Sequence, residues 1–150
     1  MEEAAQRFVP MLKLFGGGMG ALSKAFYKKY GKEALPTIAG VMSQAGVEWG
    51  KVMQQTLPAK SMKAVSEQAN MLGSMMGLGT QTVELSDDKW HFKMSKCPFG
   101  LEGTSKELCE AAMTMDEKRL STFLGEAVEV KVLKSVAAGD KECEVISSKM

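Results

Sequence analysis

The sequence has almost no net charge and no long hydrophobic run, and each of these absences narrows the class of protein. Nineteen Lys and Arg residues against 18 Asp and Glu residues give a net charge of +1. The chain therefore lacks the strong positive charge that binds nucleic acid. The longest uncharged stretch, residues 68–83, is shorter than the ~18 residues that a membrane-spanning helix needs. We expect a protein that binds neither nucleic acid nor a membrane.

A secretory signal is also missing from the first residues, because Met1-Glu2-Glu3 offers neither a basic region nor an apolar one. This predicts a cytoplasmic protein, in which thiols stay reduced, and an odd count of three cysteines argues further against a disulfide framework. We expect residues 1–150 to form a single domain. Residues 1–79 are its helical part, and residues 80–150 form a hairpin-helix-hairpin part that holds the cysteines.

Hydrophobic residues at helical spacing predict four helices in the first half, over residues 3–15, 21–30, 32–56 and about 59–76. The run Gly16-Gly17-Gly18-Met19-Gly20 follows a helix, and no Gly-Lys-Ser/Thr comes after it, so we interpret it as a flexible hinge and not as a phosphate loop. Gly46 with Gly50, and Gly73 with Gly77, leave one helix face each without side chains. This permits close packing between helices, which we expect, or room for a ligand. The thirteen methionines either fill the core or line a deformable ligand pocket.

After Gly79 the hydrophobic residues are no longer spaced as in a helix but alternate with polar ones. This pattern predicts a β-hairpin over about residues 82–94. A short helix over about 105–113 follows, then a helix opened by a capping box at Thr114-Met115-Asp116-Glu117 and stopped at Gly125. Alternation over 128–132 and 143–146 predicts a second hairpin. The fold class is therefore α+β, with N-terminal helices packed on one face of an antiparallel sheet made of two hairpins.

The three cysteines, Cys97, Cys109 and Cys143, fall in three different predicted elements of the second half. Each cysteine has turn-forming or polar neighbours, which a cysteine buried only as a hydrophobic core residue would not need. Their spacings of 11 and 33 intervening residues match no compact zinc-finger or ferredoxin pattern. Three thiolates suit zinc, or three irons of a four-iron cluster with the fourth iron open, and thiolate softness does not separate the two. Three independent core cysteines are the alternative.

The only histidine, His91, shares strand parity with Cys97, but the two lie roughly 20 Å apart in an extended run. We therefore expect a surface histidine and leave the fourth metal ligand open. One histidine also gives no convincing catalytic triad. The carboxylates of Glu102, Glu107, Glu110 and Asp140 are candidates for acid–base work only because they lie near the cysteines in sequence.

The segments Cys97-Pro98, Leu108-Cys109 and Gly139-Asp140-Lys141-Glu142-Cys143 resemble the 4-vinyl reductase domains. They are still more similar to the L-2-amino-thiazoline-4-carboxylic acid hydrolase-like proteins. The resemblance covers roughly residues 80–148. It implies a fold similar to the nitric-oxide-sensing and TRAPP ligand-binding architecture, in which helices and sheet enclose a pocket, and it implies binding of small molecules or of a cysteine-held metal.

We expect a small-molecule- and metal-binding protein in which Cys97, Cys109 and Cys143 ligate zinc or a [4Fe-4S] cluster next to an apolar, methionine-lined pocket. The alternative is a metal-dependent hydrolase that opens a small thiazoline- or amidine-type ring. That enzyme needs an open metal position and a carboxylate such as Glu107, Glu110 or Asp140. A third possibility is a structural interaction module without metal, in which the helices form a homodimer interface.

Overall fold

A computed structural model describes residues 2–150, and the side chains of all of these except residues 2 and 5. The helices are α1 (Glu2–Tyr30), α2 (Leu35–Thr56), α3 (Met62–Met75) and α4 (Lys106–Leu124). The strands are β1 (Gln81–Leu85), β2 (Lys89–Met94), β3 (Val128–Lys134) and β4 (Cys143–Lys149). Two short 3₁₀ turns, Gly31–Ala34 and Val136–Ala138, join α1 to α2 and lie between β3 and β4. Within the described residues, no helix is both long and apolar enough to cross a membrane.

The four strands form one antiparallel sheet in the order β1-β2-β4-β3. Trp90 and Phe92 on β2 and Val145 on β4 are buried on one face, where they meet buried residues of α2, α3 and α4. The intervening residues His91, Lys93 and Glu144 lie on the other face, as alternation along a strand requires. The predicted α+β class and both hairpins are confirmed.

The glycine run is where the structure departs most from the sequence prediction. Helix α1 continues through Pro10 and residues 16–20 without a break, so the predicted hinge is wrong. A Cβ on Gly16 would stand 2.7 Å from the carbonyl oxygen of Pro98, and one on Gly20 would overlap the carbonyl oxygen of Phe99. The glycines therefore let the backbone of α1 lie directly against the 97–100 loop, and this contact supports helical glycines that propensity alone disfavours.

The second correction concerns α4, which is one helix and not two. Its N-terminal cap is Ser105, whose hydroxyl accepts from the Leu108 N–H, and it ends at Gly125 in the left-handed conformation. The hydroxyl of Thr114 does not cap a new helix. It donates to the carbonyl oxygens of Ala111 and of Ala39 on α2, so it ties α4 to its neighbour.

Close packing of α2 on α4 is confirmed. A Cβ on Gly46 would overlap the backbone of Met115, and one on Gly50 would lie 2.7 Å from the carbonyl oxygen of Arg119. The methionines of this region are core filler, since Met42, Met53, Met62 and Met115 are all buried. The deformable methionine-lined pocket that the composition allowed is therefore not formed by these four.

Candidate thiol site

Cys97 lies in the loop between β2 and α4, in a turn whose Gly100 has a φ of +65°. Burial raises the pKa of the Cys97 thiol, and the nearby Glu102 carboxylate adds to this, whereas the backbone N–H groups of Leu101, Phe99 and Gly100 lower it. The Glu102 carboxylate accepts a hydrogen bond from the Cys97 N–H at 2.9 Å. The loop thus brings backbone N–H groups and one carboxylate close to the Cys97 thiol.

Cys109 is buried in the first turns of α4. Burial, together with the neighbouring Cys143 and Cys97, raises the pKa of its thiol to about 11, even though a hydrogen bond with the Ser135 side chain lowers it. Ser135 is itself 1% exposed. The least accessible thiol of the three is therefore neutral at pH 7 and hydrogen-bonded to a buried hydroxyl.

Cys143 begins β4 and pairs with Met94 of β2, which places its side chain on the helix-covered face. Burial raises the pKa of its thiol, and the Val136 N–H, 3.5 Å from Sγ, lowers it. The turn that presents this N–H is closed by Asp140, whose Oδ2 accepts from the Ser135 N–H at 2.9 Å. The Gly-Asp step of the sequence motif is therefore a turn-forming element beside Cys143.

The structure brings all three predicted thiols into one region of the molecule. Cys97 and Cys109 belong to the same hydrophobic cluster, and the thiols are near enough that a charge on one raises the pKa of another. However, among the described side chains no three His, Cys, Asp or Glu residues are grouped closely enough to hold a metal ion. The sulfur donors have the softness that zinc or iron–sulfur chemistry requires, but the arrangement is not a preformed cage.

The remaining carboxylates have other partners. Glu107 accepts from the Tyr27 hydroxyl at 3.4 Å and pairs with Lys32, Glu110 pairs with Lys106, and Asp140 closes the turn described above. Glu102 accepts from the Cys97 N–H, and the Ser135 side chain is hydrogen-bonded to the Cys109 thiol. Glu102 was named in the sequence only for its nearness to a cysteine, and Ser135 carried no recognisable signal, because its role depends on the folded turn.

His91 lies on the face of the sheet opposite Cys143. Its Nε2 is 2.8 Å from Glu144 Oε1, and this hydrogen bond holds the pKa of Glu144 below its usual value, with Lys93 and Lys134 adding to the effect. His91 and Cys97 would lie on the same face only if the strand continued to Cys97. They do not, because β2 ends at Met94 and the chain turns before Cys97.

Two surface grooves lie outside the thiol region. The first, of about 380 Å³, runs between α4 and β3 and is lined by Glu110, Met113, Thr114, Glu117, Val130, Lys131, Val132 and Leu133. The second, of about 350 Å³, lies between the end of α2 and α3 and is lined by Thr56, Leu57, Pro58, Ala64, Glu67, Gln68 and Met71. The side-chain oxygen of Gln68 is buried and has no hydrogen-bond partner among the described residues.

Comparison with solved structures finds the same fold in ligand-binding proteins. The phenol-responsive sensory domain of the transcription activator PoxR, solved with phenol, superposes with a TM-score of 0.65 at 15% identity. The match covers 89% of this chain and 74% of that one. A trafficking protein particle complex subunit 3 from Naegleria fowleri, covalently bound to palmitic acid, superposes with a TM-score of 0.63 at 13% identity, over 93% and 95% of the two chains.

The fold resemblance stated from the sequence is confirmed at this level. No family model matches the chain, and no curated protein matches it. Membership of the 4-vinyl reductase or hydrolase-like families stays a prediction.

Proposed function

We propose that this chain is a small-molecule-binding domain in which Cys97, Cys109 and Cys143 ligate one zinc ion or one four-iron cluster. The observation that supports the metal is the set of hydrogen-bond donors at the sulfurs. The Val136 N–H donates to Cys143 Sγ at 3.5 Å. Backbone N–H groups of residues 99–101 lower the pKa of the Cys97 thiol, and the Ser135 side chain lowers that of Cys109. Such donors stabilise and orient metal-bound thiolates.

A bound metal would supply positive charge that replaces the thiol protons, so binding would release protons and favour high pH. Glu102 is the carboxylate that shares the region of Cys97 and Cys143, and it is our candidate for the fourth zinc position. The chain's own contribution is to hold a loop, a helix and a strand so that their thiols can close on one centre.

The test is the metal content and visible absorption of protein purified without oxygen. We expect near-stoichiometric zinc or iron, and the Cys97→Ser, Cys109→Ser and Cys143→Ser variants should each lose most of it. His91→Gln is the matched control, because His91 lies on the opposite face and should not affect the metal. Wild-type protein without either metal, or equal loss in His91→Gln, would refute the centre.

The groove between α2 and α3 supports the small-molecule part of the proposal. Its volume is typical of ligand sites, and Leu57, Pro58, Ala64 and Met71 give it an apolar wall. The side-chain oxygen of Gln68 is buried without a partner among the described residues, which costs about 1–3 kcal/mol. Rotation of this side chain toward the groove would let the oxygen accept from a ligand O–H or N–H. We infer a small apolar ligand that carries one such donor.

Phenol, which the PoxR sensory domain holds, is the first probe, and anisole is the matched compound without the donor. Titration followed by amide chemical shifts should show saturable changes at residues 56–58 and 64–71 with phenol, and weaker binding of anisole. Gln68→Leu should remove the difference between the two compounds. Equal binding of both by the wild type would contradict the role of Gln68, and shifts confined to other residues would contradict the groove.

Helix α1 supports a second partner, another copy of this chain. One face of this helix carries exposed hydrophobic residues at spacings of four, three and seven. They are Phe8 (57% exposed), Leu12 (41%), Phe15 (64%) and Leu22 (73%). Met19 and Phe26 continue the same seam and are partly buried against the core. A seam of this period is the pattern by which helices pair, so we propose a homodimer that covers it.

The mass of the protein in solution by light scattering tests the dimer. Phe15→Glu should give monomers at concentrations where the wild type is dimeric. Leu14→Glu is the control, since Leu14 is 73% exposed but lies off the seam. A monomeric wild type, or equal dissociation by both changes, would refute the proposal.

A further inference from the structure

The outer edge of β3 is a second candidate for recognition. In the sheet order β1-β2-β4-β3 this strand pairs only with β4, and no other strand of residues 2–150 lies on its far side. Edge strands present backbone N–H and C=O groups that another chain can pair with. Charged side chains and the irregularity between Val132 and Lys134 limit the free stretch to a few residues.

Two hydrogen bonds at the start of β3 show which of its backbone groups point away from β4. The Val128 N–H donates to Ser121 Oγ on α4, away from β4, whereas the Ala127 carbonyl accepts from the Met150 N–H on the β4 side. Backbone groups two residues apart along a strand point to the same side. Val130 and Val132 therefore direct their N–H and C=O groups away from β4, into the groove between β3 and α4.

The two walls of this groove match in length. The strand contributes four consecutive residues, 130–133, and the helix contributes Glu110, Met113, Thr114 and Glu117, which share one face at i, i+3, i+4 and i+7. Three steps along a strand and seven along a helix each span about 10 Å. An extended segment of three or four residues fits this length, and it could pair with the outward backbone groups of both Val130 and Val132.

The helix wall is acidic. Glu110 has one exposed partner, Lys106, at 3.7 Å, a pair whose contribution in water is small. Glu117 lies seven residues, about two helical turns, beyond Glu110 and is the second acidic residue of this wall. The one basic residue lining the groove, Lys131, points to the outer face of the sheet and pairs with Glu129 at 3.5 Å. A segment with Lys or Arg side chains facing α4 would meet opposite charge at both ends of the wall.

We propose that the groove between β3 and α4 binds an extended, basic peptide segment of a partner protein, which adds to the sheet as a fifth strand beside Val130 and Val132. This recognition mode takes its affinity from backbone pairing and its specificity from side chains facing the wall. The site is separate from the α2–α3 groove and from the thiols.

The test uses the full chain and two capped octapeptides of alternating sequence, Lys-Val repeats and Glu-Val repeats, with amide chemical shifts as the readout. The Lys-Val peptide should shift the amides of residues 129–133 and 110–117 saturably and bind at least about tenfold more tightly than the Glu-Val peptide, a difference of roughly 1.4 kcal/mol. Equal affinities, or shifts confined to other surfaces, would overturn the proposal.

Two variants separate the backbone and charge contributions. Val130→Pro removes an outward N–H and leaves the bonds to β4 in place, which an edge position tolerates, and it should abolish binding while the β4 amide shifts stay native. The double change Glu110→Gln and Glu117→Gln should weaken the Lys-Val peptide about fivefold or more, whereas Glu129→Gln on the outer face should not. Concentration-dependent shifts at residues 129–133 without peptide, removed by Val130→Pro, would assign the edge to a second copy and overturn the peptide.

Discussion

Gly20 of α1 and Phe99 of the Cys97 loop are in direct backbone contact, so that any Cβ on Gly20 would overlap the Phe99 carbonyl oxygen. Gly20→Ala should therefore push α1 from the loop and lower the free energy of unfolding by about 1–3 kcal/mol, the usual cost of overpacking. Urea denaturation measures the change.

Gly17→Ala is the matched control for that substitution, because nothing lies within 4 Å of a Cβ at Gly17. It should stabilise the helix by about 0.5–1 kcal/mol, the normal gain of alanine over glycine. A destabilisation by Gly17→Ala similar to that of Gly20→Ala would mean that the helix, and not the contact with the loop, limits stability.

In metal-free protein, the thiol of Cys109 should alkylate slowly and with a steep pH dependence. Burial raises its pKa to about 11, so only about one molecule in a thousand carries the thiolate at pH 8. Its rate of reaction with iodoacetamide, followed by peptide mass spectrometry, should rise about tenfold per pH unit from 7 to 10. The alkylation rate of free glutathione, measured alongside, should level off as the pH passes the lower pKa of its thiol. A similar plateau for Cys109 would contradict a buried, neutral thiol.

Removing the Asp140 carboxylate should loosen the turn that presents Val136 to Cys143. Asp140→Ala leaves the N–H of the buried Ser135 without an acceptor, which costs about 1–3 kcal/mol of unfolding free energy. Asp140→Asn keeps a side-chain oxygen and should lose much less. Chemical denaturation of both variants makes the comparison, and equal losses would show that the charge matters more than the hydrogen bond.

The pair of His91 and Glu144 should make stability depend on acid pH. The hydrogen bond from His91 holds the pKa of Glu144 below its unfolded value of 4.5. A carboxyl whose pKa is lowered by folding contributes stability above the unfolded pKa and loses it as pH falls through the folded one. The urea midpoint should therefore fall between pH 5 and 3, and fall less in Glu144→Gln. Glu129→Gln, which removes an exposed carboxylate from β3, should keep the wild-type slope.

The strands and most helices could be predicted because their patterns are local. Alternation at Trp90, Phe92 and Val145 and the helical spacing of Ile38, Met42 and Met53 describe faces that are buried in the structure. The continuous α1 could not be predicted in this way. What offsets the cost of its glycines is a loop some 80 positions further along the chain, and the sequence does not record which distant backbone a bare helix face will meet.

In the thiol region, too, local patterns could be predicted and contacts with distant residues could not. The sequence assigns Cys97, Cys109 and Cys143 to three different elements, and their sharing of one metal stays a prediction. The groups that lie beside each sulfur could not be predicted from it. The Ser135 hydroxyl and the Val136 N–H reach the cysteines only because Asp140 closes the turn between β3 and β4. The capping signal at Thr114 misled for a related reason, since α2 supplies the Ala39 carbonyl that takes its hydroxyl.

Strand order has a consequence for how the chain acquires its structure during synthesis. β4 is the last strand along the chain, yet it lies between β2 and β3. In a ribosome-bound chain whose first hairpin has emerged, one edge of β2 therefore has no partner strand until residue 149 has emerged. Slow or interrupted translation after β3 would lengthen the life of this half-built sheet, and chaperone capture should be strongest in that interval.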